Sequence, residues 1–255
     1  MSSRLTNKYT DLSVQDYNSY PESPLRKEHI LNTTLFGFML MAISGVISGL
    51  VFNVNPGLAV LAAMASGVAL IGVWLFVAFG RGAEKYGKAI LIAFSLLEGV
   101  VLGSLIFSMT LVEFNHTSGA AIVGQAILAT TAIFMACLVA YKTGTIRIRQ
   151  GSKAQAFLHV ALMGMVFISI ANFGITLISG NNFLWGQGWL PIVFAVVALV
   201  VGALLLIDDF GQIDYAIESG ANEEYKWMLS LSLISTIVWI FVEMLRLLYS
   251  IAANR

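Results

Sequence analysis

Charged side chains are scarce in this chain. Lysine, arginine, aspartate and glutamate together make up 11% of its 255 residues, against about 25% in an ordinary soluble domain. A soluble globular fold is thereby excluded. Cysteine is rarer still: Cys137 stands alone, so no intramolecular disulfide can form and nothing suggests thiolate ligation of a metal. Charge of either sign is not in excess, since 14 basic residues face 14 acidic ones. No nucleic-acid partner is expected from such a balance.

What the chain has instead is apolar sequence, 58% of all residues. Seven windows, 30–52, 56–79, 89–112, 119–141, 154–179, 189–207 and 228–252, each approach or exceed the ~20 residues an α-helix needs to cross ~30 Å of hydrocarbon. Backbone groups left open in lipid have no partner, so all seven are expected as helices of one bundle. The chain reads as an all-α integral membrane protein with the lipid bilayer as its immediate surroundings. Residues 1–29 are polar, carry Pro21 and Pro24, and read as a largely disordered cytoplasmic tail ahead of a transmembrane domain at 30–252.

Basic residues set the expected orientation. Arg4, Lys8, Arg26 and Lys27 lie in the tail, Arg81, Lys85 and Lys88 after span two, Lys142, Arg147, Arg149 and Lys153 after span four, and Lys226 after span six. Twelve of the 14 basic residues thus fall on one side, which the positive-inside rule assigns to the cytoplasm together with the N-terminus. Gly45 with Gly49, and Gly99 with Gly103, are spaced for close helix contact.

Ionisable groups inside such spans are costly and mark ion paths, relays or switches. The stretch 204–215 is where they gather: an apolar run ends in Asp208 and Asp209, and Asp214 follows on the cytoplasmic continuation. At about 1.5 Å per residue, Glu98 lies roughly 14 Å into span three and His159 about five residues into span five, in the same cytoplasmic half. Arg81, just beyond span two, is within reach of that side. Glu243 and Arg246, three apart in span seven, belong to the outer half and can pair with each other.

No span contains the lysine a retinal Schiff base requires. An intramembrane aspartyl protease needs aspartates converging from two helices, whereas Asp208 and Asp209 point about 100° apart on one. No Ser/His/Asp arrangement, zinc-type histidine cluster or phosphate loop is present, so neither enzymatic activity nor a cofactor is expected.

Leu96-Leu97-Glu98-Gly99 with Gly103, the Leu-Ile-Asp-Asp ending of span six, and Leu245-Arg246-Leu247-Leu248 together resemble the Bax inhibitor-1 (transmembrane Bax inhibitor motif) family. Tyr141-Lys-Thr-Gly-Thr-Ile-Arg-Ile148 and the Gly220-Ala-Asn link are similar to its bacterial branch. The likeness covers about residues 25–250. It implies a central seventh helix wrapped by six others, in a bacterial plasma membrane. It also implies a pH-sensitive calcium leak, or, as in some bacterial members, a protein that binds and restrains a membrane protease. In channel members an aspartate ending span six pairs with one in span seven, and a basic group can lock the closed form. Asp208 or Asp209 matches the first aspartate and Glu98 the family's span-three glutamate. The place of the second aspartate falls near Ser235 or Thr236, which do not titrate, and Glu243 lies two turns too far out to replace it.

Were carboxylates to converge, by Asp208 with Asp209 or Asp209 with Glu98, they could not both stay ionised and would titrate as a unit. Calcium, as permeant ion, takes six to eight oxygen ligands, so Asp208 and Asp209 with carbonyls and waters would form a weak contact that lets the ion leave. Two functions are therefore expected in competition. One is a proton-gated cation leak; the other is a regulator that binds a protease or other membrane protein through the polar tail and the acidic 218–224 link.

Overall fold

The computed structural model describes residues 24–80, 83–114, 117–180, 183–184 and 187–254. Seven long helices make up most of it: α1 (Lys27–Val54), α2 (Pro56–Phe79), α3 (Gly87–Thr110), α4 (Gly119–Lys142), α5 (Lys153–Ser179), α6 (Trp189–Glu218) and α7 (Lys226–Ala253). Each is long and apolar enough to cross a membrane. Two residue pairs between α3 and α4, β1 (Glu113–Phe114) and β2 (Thr117–Ser118), form a minimal antiparallel hairpin.

The helix starts follow from local chemistry. Asn55 ends α1 and accepts from the Leu58 amide at 3.1 Å, with Pro56 in the first turn of α2, where its missing N–H costs nothing. Ser118 and Ser152 cap α4 and α5 in the same way. Gly180 ends α5 at φ 72°, a left-handed conformation that glycine adopts without a Cβ clash.

α7 is the centre of the bundle. It packs on α1, α3, α4 and α6. Within its most apolar stretch 56% of residues are buried, against 6% in α2 and 11% in α5, which are peripheral. α1 and α3 approach most closely at their glycines: a Cβ on Gly103 would lie 2.1 Å from the Gly45 carbonyl oxygen, and one on Gly99 2.3 Å from that of Met41. The two glycine pairs therefore let the backbones touch, as their spacing predicts.

One end of the bundle collects most of the basic residues and is called here the basic end. Lys27 at the start of α1 and Tyr141 near the end of α4 both reach Asp214 on α6, at 2.7 and 2.6 Å. Lys88 of α3 lies over the Trp227 ring of α7. Leu25, ahead of α1, is buried against Ile30, Ala216 and Leu229, its amide donating to the Ala221 carbonyl.

Two boundaries differ from the sequence reading by more than two residues. α1 starts at Lys27 rather than 30, so the last residues assigned to the tail are packed on the bundle. α6 does not end at 207: it continues through Asp208 and Asp209 to Glu218. The apolar count stops at the first carboxylate, but the helix persists because Ala216 is buried and Ile213 and Ile217 pack beneath Leu25.

Candidate functional site: adjacent buried carboxylates on α6

Asp208 and Asp209 sit some nine or ten residues from the end of α6, roughly 14 Å at 1.5 Å per residue. Expected at a helix end, they are instead enclosed, with 1% and 5% of their surface exposed. Being consecutive on a helix, they face different neighbours, and each joins α6 to a separate part of the molecule.

Asp208 faces the α4–α5 link and the start of α5. Gln150 Nε2 donates to Oδ1 at 3.1 Å, Gln155 Nε2 to Oδ1 and Oδ2 at 3.0 and 3.1 Å, and Gln212 Nε2, one turn on in α6, to Oδ2 at 2.8 Å. The cluster is braced by Gln155 itself, whose Nε2 also donates to Gln150 Oε1 at 2.6 Å and whose Oε1 accepts from the Gly151 amide at 2.7 Å. Three neutral amides thus serve one carboxylate, filling its acceptor sites without supplying a counter-charge. Gly211 makes room for them: a Cβ there would lie 3.3 Å from Gln150 Nε2.

Asp209 faces α7. Ser232 Oγ donates to its Oδ1 at 2.6 Å, and Thr236, one turn further, adjoins the same carboxylate. The other oxygen, Oδ2, is buried without a hydrogen-bond partner. Asp208 and His159 are the nearby charged or titratable groups. His159 is exposed, its ring Nδ1 2.9 Å from the Gln155 carbonyl oxygen.

The remaining candidates lie apart. Glu98 is half-buried on α3, which packs chiefly on α1, α2, α4 and α7, whereas α6 packs on α4, α5 and α7. Glu98 therefore does not join Asp209, and among the described residues no hydrogen bond or ion pair engages it. Ser235 does not reach Asp209 either; its hydroxyl donates to the Ser232 carbonyl at 2.8 Å. Glu243 and Arg246 form the expected ion pair, 2.9 Å apart and 3% and 6% exposed, with the guanidinium 5.2 Å from the centre of the Phe194 ring, well toward the other end of the bundle. Asp214 belongs to the surface cluster with Lys27 and Tyr141. Arg81 lies outside the described residues. No group of three or more His, Cys, Asp or Glu side chains suited to a metal occurs among the described residues.

Ser232, Gln150, Gln155 and Gln212 were not singled out from the sequence. A search for ionisable groups passes over neutral amides. The one available signal was Gln212 at i+4 from Asp208, the spacing that brings side chains together on a helix.

The arrangement resembles a two-sided bolt: one carboxylate holds the link between α4 and α5, and the next holds the central helix. No individual curated protein matches the chain. A family profile does, the one described as Bax inhibitor 1 like, over residues 7–253. With the seven-helix bundle and its central last helix, that match across nearly the whole length means that the chain belongs to the Bax inhibitor 1-like family of multi-pass membrane proteins.

Proposed function

We propose that the protein is a proton-regulated cation leak, with its basic end and N-terminus in the cytoplasm and its gate where α6 meets α7 and the α4–α5 link. The observation that carries this reading is the burial of two adjacent carboxylates, one bonded to the α4–α5 link and α5 and the other to α7, with Asp209 Oδ2 lacking a hydrogen-bond partner. An ionised Asp209 accepts from Ser232 but leaves one oxygen unserved, in a site where an unmatched polar atom is costly. A proton on Oδ2 would turn it into a donor beside Thr236 and would remove the charge next to Asp208. Two bonding states result, and a gate needs two such states whose balance a ligand or proton can shift.

In the closed arrangement the oxygens of Asp208 are engaged by amides. Release of the link would turn them toward a cation, calcium by family resemblance, as a weak oxygen site. The alternative reading, a regulator that binds a membrane protease or other membrane protein, draws support from Leu25, which packs beside the α6–α7 link with its amide donating to the Ala221 carbonyl.

Calcium influx into dye-loaded liposomes, followed between about pH 6 and pH 8, tests the proposal. A pH-dependent flux that disappears in Asp208→Asn/Asp209→Asn supports it. Folded protein that passes no calcium at any pH overturns it in favour of the binding reading.

A further inference from the structure

The α4–α5 link alternates. Arg147 and Arg149 are exposed, while Ile148 packs with the buried cluster of Cys137, Leu206 and Phe210, and Gln150 turns inward onto Asp208. A segment two residues wide in period therefore has a hydrophobic and amide face against α6 and a basic face outward. Lys142 and Lys153, at the end of α4 and the start of α5, are also exposed and flank the link in sequence. The run 142–153 contains these four basic residues and no acidic one. None of the four makes an ion pair among the described residues. Arg147 is near Asp214, but that carboxylate is already held by Lys27 and Tyr141.

The height of the segment matters as much as its charge. α4 and α5, at 24 and 27 residues, are longer than the ~20 needed to cross the hydrocarbon. Their joined ends therefore reach the headgroup layer, where anionic phosphates are concentrated. From this geometry we propose that the outer face of the α4–α5 link is a binding surface for anionic lipid headgroups, and that a bound headgroup presses the link onto Asp208. Arg147 and Arg149 supply the planar guanidinium donors that match phosphate oxygens, and Lys142 and Lys153 supply point charge at the flanks. Since the opposite face of the same segment carries Gln150, lipid composition becomes an input to the carboxylate site. The inference stands whether or not ions pass through the protein.

Hydrogen exchange of amides 145–152 in the full chain tests it, with the protein in nanodiscs of phosphatidylcholine alone and with phosphatidylglycerol up to about 30%. Protection of these amides is expected to rise with phosphatidylglycerol and to be reversed in about 1 M salt, where charge interactions are screened within ~3 Å. In Arg147→Gln/Arg149→Gln the apparent affinity for phosphatidylglycerol should fall by roughly fivefold for each arginine removed, so that little protection is gained up to about 30%. Lys85→Gln/Lys88→Gln, at the same end of the bundle, should leave it unchanged. The proposal is overturned by equal protection in neutral and anionic nanodiscs. Loss of the response in the lysine variant as much as in the arginine variant also overturns it, as does inorganic phosphate reproducing the effect in neutral nanodiscs. Should the arginine variant fold poorly, the salt and phosphate measurements on the unaltered chain still decide.

Discussion

Ser232 Oγ donates to Asp209 Oδ1 over 2.6 Å, joining α6 to the central helix α7 through a hydroxyl. A neutral donor changes the physics. Two facing acids must share a proton, whereas Asp209 can be ionised or neutral without altering the charge of its partner on α7. The charged or titratable groups near it are Asp208, on its own helix, and His159 on α5.

Ser232→Ala removes the one hydrogen bond made to Asp209 Oδ1. An unserved buried oxygen costs about 1–3 kcal/mol, so thermal stability in detergent should fall. The donor serves the ionised carboxylate. The gap between variant and unaltered protein should therefore widen as pH rises and narrow as pH falls. Ser232→Thr, which keeps the hydroxyl, should lose much less.

Gln155→Ala takes away two contacts to Asp208 and the brace on Gln150 and Gly151. The α4–α5 link, with Arg147 and Arg149 exposed, should then be cut by trypsin several times faster in the otherwise folded protein. Cleavage at an unchanged rate would mean that the amide cluster does not hold the link.

The Glu243–Arg246 pair is buried on both sides. Neutralising one member leaves an uncompensated charge and should cost about 3–5 kcal/mol, while replacing both with apolar residues of similar size should restore most of the loss. Melting curves for Glu243→Leu, Arg246→Leu and the double variant would separate these outcomes.

Gly103→Ala places a methyl 2.1 Å from the Gly45 carbonyl oxygen, so α1 and α3 must move apart. A loss of about 1–3 kcal/mol is expected from the overpacking. Gly67→Ala, where a Cβ would meet nothing within 4 Å, should be neutral or slightly stabilising. Equal effects of the two substitutions would contradict the close α1–α3 contact.

The spans were legible because the bilayer imposes a length, and apolar runs of that length recur seven times; α2 was read to the residue. The end of α6 was not, because Asp208 and Asp209 interrupt the apolar count while the helix is held by Leu25, which is remote in sequence. Asp208, Asp209, Glu243 and Arg246 were found since charge within a span is rare. Their partners were harder. Counting back from Arg246 indicates a depth on α7 but not which hydroxyl is already used by its own helix, as Ser235 is. The amides around Asp208 converge from two helices and a link, an arrangement only the fold defines.

The central claim is that the charge of Asp209 controls the gate, and the ratio of calcium flux at about pH 6 to that at about pH 8 in Asp209→Asn liposomes tests it most directly. The unaltered protein should show a ratio several-fold away from one. Asp209→Asn, which keeps the shape and the Ser232 contact but cannot titrate, should show a ratio near one. An Asp209→Asn protein that conducts with the same pH dependence as the unaltered chain would contradict the account.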